Sequence, residues 1–524
     1  MNMEKPTVAH MLEIAALTAP DSVFLHEGTK SVTFRELDSV TDRLATAFIK
    51  EGLRKGDKVG IIALNQLEWL YTYFAAMKIG VGVVALNVRY RAAEFEYMLN
   101  QSEVKAIVSL NELGDFSYSD FFEGFKNKVP SVEHYIFMGK GFNGSRSFVK
   151  MLDEPVENQL LSEAKARVRP TDTALVIYTS GTTGKPKGAM ISHNSVIASA
   201  KAQMDHFGIM EEDVTIGSMP LNHVGGISCC VTVALLSHSS VVLIPAFDPD
   251  EVLEAIHHHK ATIFGGVPTM YRMLLSNEKR KVYRLDSLRL CFAGGSNVEP
   301  ELCELITSAL PNARLSNLYG LSETSGACVL SRSTDDIEQV QTSIGVAIGD
   351  FDIKVVSEEK KTLTNGEIGE LAVKGACVAK GYDNMIEETK ESFGHEGWLY
   401  TGDMAHMDDE GYIYYKGRKK EMIVQGGYNV YPVEVENILV AHPEVSMAAG
   451  FGVPNDFLGE VGRFYIVLAP GARLSEEELK NYCAGVMADY KIPRQFVFVD
   501  DVPLTPAGKI QKSLLKEQYF ASLQ

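Results

Sequence analysis

The sequence has no net positive charge, and this limits the classes of partner that the protein can bind. Over 524 residues the formal net charge at pH 7 is −18, which argues against a nucleic-acid partner and against a general role at membrane surfaces. A site for phosphate groups must therefore be made basic locally. Hydrophobic residues at 45% and charged residues at 23% are otherwise typical of a soluble globular protein.

The sequence also shows no pattern typical of a signal peptide, a membrane span or paired cysteines. The opening residues MNMEKPTVAHML contain no apolar segment of the signal-peptide type. Polar residues interrupt the most apolar region, 60–86, which predicts buried helix and strand rather than a transmembrane segment. The seven cysteines are scattered and never spaced as CxxC, so we expect reduced thiols in a cytoplasmic compartment, with neither a disulfide framework nor a zinc site.

The chain shows no internal repeat or low-complexity segment, but strand-like and helical segments alternate along it. Strand-like residues 58–64 and 82–86 flank a helical pattern at 67–77, and the same order recurs over 240–264. This alternation predicts an α/β fold of doubly wound, largely parallel sheets with crossover helices. Ligands of such sheets bind where the carboxyl ends of strands enter the next loop.

The length and a change of pattern predict at least two domains. Beyond about residue 344, short strand-like segments joined by turns indicate a small β-rich part. A charged run, GRKKE at 417–421, then precedes about a hundred residues with strands and helices of their own. One helix there is expected to begin at Ser475, which forms a capping box with Glu478. We therefore predict an N-terminal domain over 1–418 and an α+β C-terminal domain over 419–524.

Small, hydroxyl-bearing and basic residues are concentrated in YTSGTTGKPKG, residues 178–188, directly after the apolar run 174–177. Glycines let backbone N–H groups approach an anion, hydroxyls add donors, and lysines add charge. The run therefore predicts a phosphate-binding loop, with a flexible polar loop as the alternative. It is not a Walker A loop, because only two residues separate Gly181 from Gly184 and Pro186 follows the lysine.

This loop resembles the signature of the adenylate-forming superfamily, which includes acyl-CoA synthetases, luciferases and the adenylation domains of peptide synthetases. Four further motifs of that family are matched in the same order, so that the resemblance spans essentially the whole chain. They are NLYGLSET at 317–324, GWLYTGD at 397–403, the hinge GRKKE at 417–421 and PLTPAGK at 503–509.

The resemblance implies a two-step reaction in which ATP, Mg²⁺ and coenzyme A take part. A carboxylate attacks the α-phosphate of ATP and gives acyl-AMP and pyrophosphate; the CoA thiol then displaces AMP. The first step joins two anions and needs strong positive charge at the α-phosphate. The implied partners are a small carboxylic acid, ATP and CoA, and no partner protein is implied.

The same motifs suggest the residues that carry the first step. Glu323 resembles the glutamate that coordinates Mg²⁺, a cation that prefers such oxygen ligands. Lys509 resembles the lysine that reaches the α-phosphate and the substrate carboxylate. Ser322 stands where the family usually has threonine and keeps the hydroxyl that bonds the α-phosphate. Thr182 and Thr183, together with Lys187, would hold the outgoing pyrophosphate.

The nucleotide would be held by several of these motifs. By resemblance, Asp403 accepts hydrogen bonds from the ribose hydroxyls, Arg418 lies on the same sugar, and Tyr319 stacks on adenine. The backbone at 294–296 would lie against the base, although a plain strand-end turn is the alternative. The predicted cofactor-binding residues are Thr179, Ser180, Gly181, Thr182, Thr183, Gly184, Lys185, Lys187, Gly294, Gly295, Ser296, Asn317, Tyr319, Gly320, Asp403, Arg418, Gly426 and Gly427.

For the second step, the resemblance implies a mobile C-terminal domain that rotates about a hinge residue, matched by Lys420. Rotation would remove Lys509 and bring another face of the small domain to the site. Gly426 and Gly427 would then wall the pantetheine channel, since residues without Cβ leave room for a tunnel. An ordinary Gly-Gly turn is the alternative.

The identity of the acid is the least determined expectation. His223, in PLNHVGG, matches a pocket-gating aromatic or histidine, where amino-acid-activating relatives tend to have aspartate. Gly320 aligns with a tryptophan that closes the pocket of acetate-specific relatives. We therefore expect a medium- or long-chain fatty acid, then an aromatic or alicyclic carboxylate. No cationic pocket residue for a dicarboxylate stands out.

Other readings remain beside the acyl-CoA ligase. An adenylating enzyme could load a carrier protein, and a luciferase-like oxidase would share the first half-reaction. A non-catalytic binder is disfavoured by Glu323, Asp403 and Lys509. The run His257–His259 is expected at the polar end of a helix rather than in a metal site, because consecutive helical residues point about 100° apart.

Overall fold

The computed structural model of the chain describes residues 6–179, 185–295, 298–505 and 509–523. One of the two large sheets has seven strands. It is parallel except for its antiparallel edge strand Lys187–Ser192. In spatial order its strands are Lys187–Ser192, Thr173–Thr179, Gly82–Leu86, Lys58–Ile62, Ala106–Ser109, His134–Phe137 and Arg146–Ser147.

A second, nine-stranded sheet carries most of the strand ends that matter below. Its six central strands are parallel, and antiparallel strands complete both edges. In spatial order the strands are Val346–Ala347, Gly326–Leu330, Arg314–Leu321, Leu290–Gly294, Ile263–Gly266, Val214–Gly217, Ser240–Leu243, Val23–Glu27 and Lys30–Thr33.

Helices pack on both sheets, and one hydrophobic cluster joins strands of the two. The helix Leu67–Ile79 is almost wholly buried in this cluster, which explains its all-round apolar sequence. Its buried Lys78 ion-pairs with Asp38 at 2.7 Å and Asp42 at 2.6 Å. The helices are Val8–Thr18, Phe34–Lys50, Leu67–Ile79, Ala92–Gln101, Tyr118–Phe125, Phe148–Leu152, Asn158–Lys165, His193–Phe207, Val224–Gly226, Val233–Ser237, Pro249–His259, Pro268–Ser276, Pro300–Ala309 and Ile337–Thr342, with a π-helical turn at Ile227–Thr232.

The predicted β-rich part is a four-stranded antiparallel sheet. Its strands are Asp352–Val356, Gly369–Lys374, Trp398–Met407 and Ile413–Arg418, accompanied by the helix Ile386–Ser392. Asp403 and Arg418 face each other across its last two strands. A separate two-stranded ribbon pairs Glu112–Leu113 with Phe116–Ser117.

The C-terminal unit has a sheet and hydrophobic clusters of its own. The sheet contains Ile423–Gln425, Tyr428–Val430, Val445–Asn455, Gly459–Leu468 and Gln495–Phe498, and the helices are Pro432–Val440, Glu476–Val486 and Lys512–Ser522. The Ser475–Glu478 capping box is present. The predicted boundary after Arg418 falls at a strand end, and the 3₁₀ turn Lys419–Glu421 links the two sheets.

The predicted fold class is confirmed: parallel sheets with crossover helices, a small β-rich part and a separate C-terminal domain. Over the described ranges, no helix is both long and apolar enough to cross a membrane. The seven cysteines are free thiols. The three histidines at 257–259 diverge: His257 accepts from the Arg284 amide, His258 lies near Glu254, and the His259 ring lies against His26.

Candidate active site

A cavity of about 850 Å³ lies at the carboxyl ends of the central strands of the nine-stranded sheet. This is the edge at which parallel sheets bind ligands. Residues of the small antiparallel sheet, together with Thr505 and Lys509, also line it. The predicted residues that line it are Thr179, Lys187, His223, Gly294, Gly295, Gly320, Ser322, Glu323, Arg418, Lys420 and Lys509.

Several predicted loop residues cannot be placed. Ser180, Gly181, Thr182, Thr183, Gly184 and Ser296 lie outside the described residues, so their phosphate and base contacts stay predictions. The C-terminal flank of the loop is held by Tyr97, whose hydroxyl donates to the Pro186 carbonyl at 2.9 Å. Lys185 is exposed, with its ammonium 5.8 Å from the Tyr97 ring. Lys187 is only 6% exposed and faces the cavity.

Glu323 projects from a tight turn at the end of a central strand. The strand Arg314–Leu321 runs into the 3₁₀ turn Ser322–Thr324, which places Ser322 and Glu323 side by side on the cavity wall. Glu323 Oε1 accepts a hydrogen bond from the Tyr382 hydroxyl at 2.8 Å. Tyr382 also lines the cavity, and the sequence motifs gave no signal for it.

The site fits a magnesium ion that arrives with ATP. Among the described residues, no group of three or more His, Cys, Asp or Glu could hold a metal by itself. Mg²⁺ is usually held by one or two carboxylates, substrate phosphates and water rather than by an all-protein cage. Glu323 provides such a carboxylate beside the basic Lys187.

Lys509 reaches the cavity from the C-terminal unit and lies against Gly295. A Cβ added to Gly295 would lie 3.3 Å from Lys509 Cε and 3.6 Å from Nζ, and Gly295 has a φ of +78°. The loop is closed by hydrogen bonds in both directions between Thr505 and Lys509. Burial first, then the neighbouring Arg418, lowers the pKa of Lys509. An anionic ligand here would offset both effects.

His223 is a half-buried imidazole on the cavity wall, near enough to Lys509 for the lysine charge to act on it. Burial and the charge of Lys509 lower the pKa of His223 to about 3. Its Nδ1 accepts a hydrogen bond from the Gly225 amide at 3.0 Å. The neutral ring therefore carries its proton on Nε2, which is a hydrogen-bond donor at the cavity wall.

Asp403 is buried, and it contacts the partly exposed side chains of Arg418 and Tyr319. Arg418 Nε lies 2.8 Å from Asp403 Oδ1, and the Tyr319 hydroxyl donates to Asp403 Oδ2 at 2.7 Å. Burial raises the pKa of Asp403, while Arg418 opposes the rise. Arg418 lines the cavity but Asp403 and Tyr319 do not. Among the described residues, Asp403 Oδ1 has no hydrogen-bond partner, although Arg418 Nε lies 2.8 Å away.

Asn317 has a different position from the one expected of a nucleotide ligand. Its side-chain amide donates to the carbonyls of Val340 and, at 2.9 Å, Ser343. Its backbone amide donates to the Ser331 hydroxyl at 3.0 Å. Asn317 therefore anchors the strand that carries the Gly320–Glu323 segment instead of facing the cavity. The motif could not show this, because it does not indicate where a side chain points.

Gly294 and Gly320 are glycines because backbones approach closely there. A Cβ on Gly294 would lie 2.2 Å from the Leu318 carbonyl oxygen, and one on Gly320 would lie 2.1 Å from that of Gly326. No side chain fits at Gly320 without movement of the neighbouring strand. The close approach of the two paired strands therefore explains why no side chain closes the cavity wall at Gly320.

The two residues that would serve the second step lie in different places. Lys420 lines the cavity from the turn between the two units. Gly426 and Gly427 form the two-residue turn between paired Gln425 and Tyr428, with φ of +60° and +85°, and lie away from the cavity. In this arrangement of the units they are turn glycines; the pantetheine role stays a prediction.

A part of the cavity lining is apolar. Charged lining residues come from the phosphate-loop flank, the Glu323 turn, the small sheet, the linker and the Lys509 loop. Val267 and Gly294 line the cavity, whereas Pro268, Ala327 and Cys328 do not. The apolar wall is formed by Ile216, Cys229, Cys230, Val233, Ile263, Gly265, Gly266, Val267 and Phe292.

Known proteins share this arrangement. The family model of AMP-binding enzymes matches residues 12–383, and that of the AMP-binding enzyme C-terminal domain matches residues 434–509. The chain belongs to the AMP-binding enzyme family. The predicted superfamily is therefore confirmed.

Two enzymes similar to this family member are named for fatty acids. A medium-chain acyl-CoA ligase, ACSF2, from Bos taurus mitochondria is 31% identical, over 99% of this chain and 88% of its own. A long-chain-fatty-acid–CoA ligase from Bacillus subtilis is 31% identical, over 98% of this chain and 94% of its own.

Solved structures agree with the fold. The anthranilate CoA ligase AuaEII, in complex with anthranoyl-AMP, has a TM-score of 0.89 at 27% identity and covers 99% of this chain and 98% of its own. O-succinylbenzoate coenzyme A synthetase from Bacillus subtilis, with ATP and a magnesium ion, has a TM-score of 0.83 at 29% identity and covers 97% of this chain and 99% of its own.

This AMP-binding enzyme is thus an acyl-CoA ligase that uses ATP, Mg²⁺ and coenzyme A. The predicted enzyme class and cofactors are confirmed. A small carboxylic acid, ATP and CoA are the partners that fit this family.

Proposed function

We propose that the enzyme activates a medium- or long-chain fatty acid, and that the residues lining the cavity carry the adenylation step. One observation supports this most directly. Lys509 reaches from the C-terminal unit into a cavity with a basic, carboxylate-bearing half and an apolar half. Such a cavity can place an acid's carboxylate beside the α-phosphate of ATP while its chain stays away from water.

Each proposed role follows from charge and position. Lys509 neutralises the carboxylate and α-phosphate as the acyl C–O⁻ attacks phosphorus and the bond to pyrophosphate breaks. Lys187 holds the departing pyrophosphate. Glu323 holds Mg²⁺, which spreads the charge of the phosphates. Ser322 and the Nε2–H of His223 supply neutral donors at the same wall.

The nucleoside and the second step involve the small sheet and the C-terminal unit. We propose that Arg418 and Asp403 bind the ribose after Tyr319 moves aside to stack on adenine. We also propose that residues 419–524 act as a unit that turns about Lys420, so that the CoA thiol takes the place of Lys509. The cytoplasmic compartment suggested by the thiols stays a prediction.

The apolar inner wall supports an acid without a second charge. The residues of this apolar wall carry no charge, so a second carboxylate placed against it would have no cation to pair with. Gly265 and Gly266, which have no side chains, and the thiols of Cys229 and Cys230 form part of this uncharged wall. The relatives named for medium- and long-chain acids agree with this proposal, and the anthranilate ligase keeps an aromatic acid as the alternative.

CoA-dependent release of AMP tests the proposal. Purified enzyme with Mg·ATP is given acetate, C4 to C18 fatty acids, benzoate, cyclohexanecarboxylate and several amino acids. We expect an optimum between C6 and C18 with one acyl-CoA formed per AMP. An optimum at benzoate or cyclohexanecarboxylate would favour the aromatic or alicyclic alternative. Acid-dependent pyrophosphate exchange without acyl-CoA would move the acceptor to a carrier protein.

A further inference from the structure

Tyr382 contacts two oppositely charged residues of the cavity at once. Its hydroxyl donates to Glu323 Oε1 at 2.8 Å, and the Lys187 ammonium lies 5.0 Å from the centre of its ring. A hydroxyl suits a carboxylate, and an aromatic face suits a cation. One neutral side chain therefore supports both the carboxylate and the ammonium.

Lys187 has no stronger partner than this ring in the part of the chain that the structure describes. It is 6% exposed, yet no carboxylate there lies within ion-pairing distance of its ammonium. A buried cation and a nearby carboxylate would otherwise tend to pair directly. Tyr382 satisfies Glu323 through its hydroxyl and Lys187 through its ring, so both charges stay available to ligands.

The backbone around Tyr382 is fixed from several sides. Its amide donates to the Thr389 hydroxyl at 2.9 Å, and the next amide, of Asp383, donates to the Gly188 carbonyl at 2.8 Å. Tyr382 also forms a β-bridge with Ala189 on the edge strand. The ring is thus tied to the strand that begins at Lys187.

A buried ion pair holds this segment to the first sheet. Lys58 Nζ lies 2.6 and 2.8 Å from the two carboxylate oxygens of Asp383 and donates to the Ser102 carbonyl at 3.0 Å. The Asp383 side chain is 5% exposed. Breaking one partner of such a pair is costly, because the other charge stays buried. The backbone on both sides of Tyr382 is therefore held by hydrogen bonds and by this ion pair.

We propose that Tyr382 is a positioning residue for adenylation: its hydroxyl orients Glu323 toward Mg²⁺, and its ring supports Lys187 toward the departing pyrophosphate. The inference rests on the proposed roles of Glu323 and Lys187. It predicts an effect on the first half-reaction alone, because thioester formation from acyl-AMP needs neither the metal nor pyrophosphate.

Two substitutions separate the hydroxyl from the ring. Tyr382→Phe keeps the ring under Lys187 and removes the donor to Glu323; Tyr382→Leu removes both. We expect Tyr382→Phe to weaken binding of Mn²⁺·ATP, followed by electron paramagnetic resonance of Mn²⁺, by about tenfold, the scale of one hydrogen bond to a charged group. Tyr382→Leu should in addition raise the KM for pyrophosphate in the reverse reaction severalfold.

A matched control removes a similar hydrogen bond elsewhere. Tyr414→Phe deletes a hydroxyl that donates to the Asp408 carboxylate at 3.0 Å, outside the cavity, and should leave Mn²⁺·ATP binding unchanged. Thioester formation from supplied acyl-AMP should stay within twofold of wild type in Tyr382→Phe. Unchanged Mn²⁺·ATP binding in Tyr382→Phe would overturn the inference. So would an equal loss in both half-reactions with a lowered melting temperature, which indicates a purely structural role.

The wild-type enzyme separates this inference from the function on which it rests. If no carboxylic acid supports pyrophosphate exchange by the wild type, the proposed function fails. If the wild type exchanges pyrophosphate and Tyr382→Phe behaves like it, only the role of Tyr382 fails.

Discussion

Lys509 lies near other positive groups and is positioned to pair with an anionic ligand rather than with a carboxylate of the protein. The pKa of Lys509 is lowered by burial and by Arg418, and Lys509 in turn lowers the pKa of His223. The unfavourable electrostatic energy of these neighbouring positive charges is offset when a carboxylate and an α-phosphate bind. The same positive surroundings that disfavour the charged form of Lys509 in the free enzyme therefore favour binding of the anionic reactants.

Replacing this lysine should separate the two half-reactions. We expect Lys509→Ala to slow acid-dependent pyrophosphate exchange by roughly 100-fold or more, the scale for removal of one transition-state charge partner. Thioester formation from supplied acyl-AMP should be largely kept, since the thiol step does not use Lys509. Measuring both half-reactions on one preparation gives the test, and equal loss of both would refute the assignment.

The size of the acid should depend on a single glycine of the apolar wall. A Cβ on Gly265 would meet nothing closer than Phe292 at 3.8 Å, so a side chain there extends into the cavity without backbone movement. We expect Gly265→Leu to lower kcat/KM for C12 and longer acids by about tenfold or more and to spare acids of four carbons or fewer. A chain-length profile parallel to the wild type would place the acyl chain elsewhere.

At the scale of elements, the turn Lys419–Glu421 is where the chain leaves one sheet and enters another. It is a single 3₁₀ turn between the strand ending at Arg418 and the strand beginning at Ile423, so a rotation of the last unit has few torsions to use. Such short segments at element ends are where hinge motion is absorbed.

Fixing one torsion of this turn should affect only the second step. Lys420→Pro locks φ at that residue and restricts the residue before it. We expect adenylation to be kept and thioester formation to fall by about tenfold or more, because the unit can no longer turn. Lys420→Ala, which removes the charge but not the freedom, is the control. Normal thioester formation by Lys420→Pro would place the hinge elsewhere.

Elements were predictable where their pattern was local. The alternation of apolar and polar residues located the strand Lys58–Ile62 and the helix Leu67–Ile79 to within two residues. The capping box at Ser475 was visible because its two residues lie three positions apart. Motif order likewise indicated Glu323 and Lys509. These two residues are far apart in sequence, and the fold places both on the wall of one cavity.

Contacts between distant segments were not predictable from such patterns. Tyr382 belongs to no matched motif, and its importance rests on Glu323 and Lys187, which are far from it in sequence. Asn317 lies within a matched motif, but its amide is taken by carbonyls near residue 342. A motif identifies a residue type, whereas tertiary packing decides the direction of its side chain.

At the scale of the whole molecule, stability should depend on a histidine far from the chemistry. His193 begins the helix His193–Phe207, and its Nδ1 accepts from the Val8 amide at 3.3 Å, which ties the first helix to the sheet. Burial, opposed by Asp172 and assisted by Lys55, lowers the pKa of His193 to about 4. The folded protein therefore requires the neutral ring.

The sign of the pH dependence follows from this lowered pKa. The stabilisation is complete above the unfolded pKa of about 6.5 and is lost as the pH falls toward the folded value of about 4. Relative to His193→Asn, whose amide oxygen can still accept from Val8, we expect the wild type to lose about 2 kcal/mol between pH 7.5 and pH 5. Urea unfolding of both proteins at the two pH values measures this. A constant difference between them would show that His193 is not held neutral.

The strand Lys187–Ser192 lies at the rim of the first sheet, and its outer side is covered by residues almost two hundred positions later. The Met190 amide donates to the Gly381 carbonyl at 2.9 Å, and the Lys380 amide donates to the Met190 carbonyl at 2.8 Å. During synthesis, the outer edge of this strand can form these hydrogen bonds only after residues 380–383 have been made. Until then it offers an unpaired strand edge to other chains. Aggregation of nascent or truncated forms should accordingly begin there.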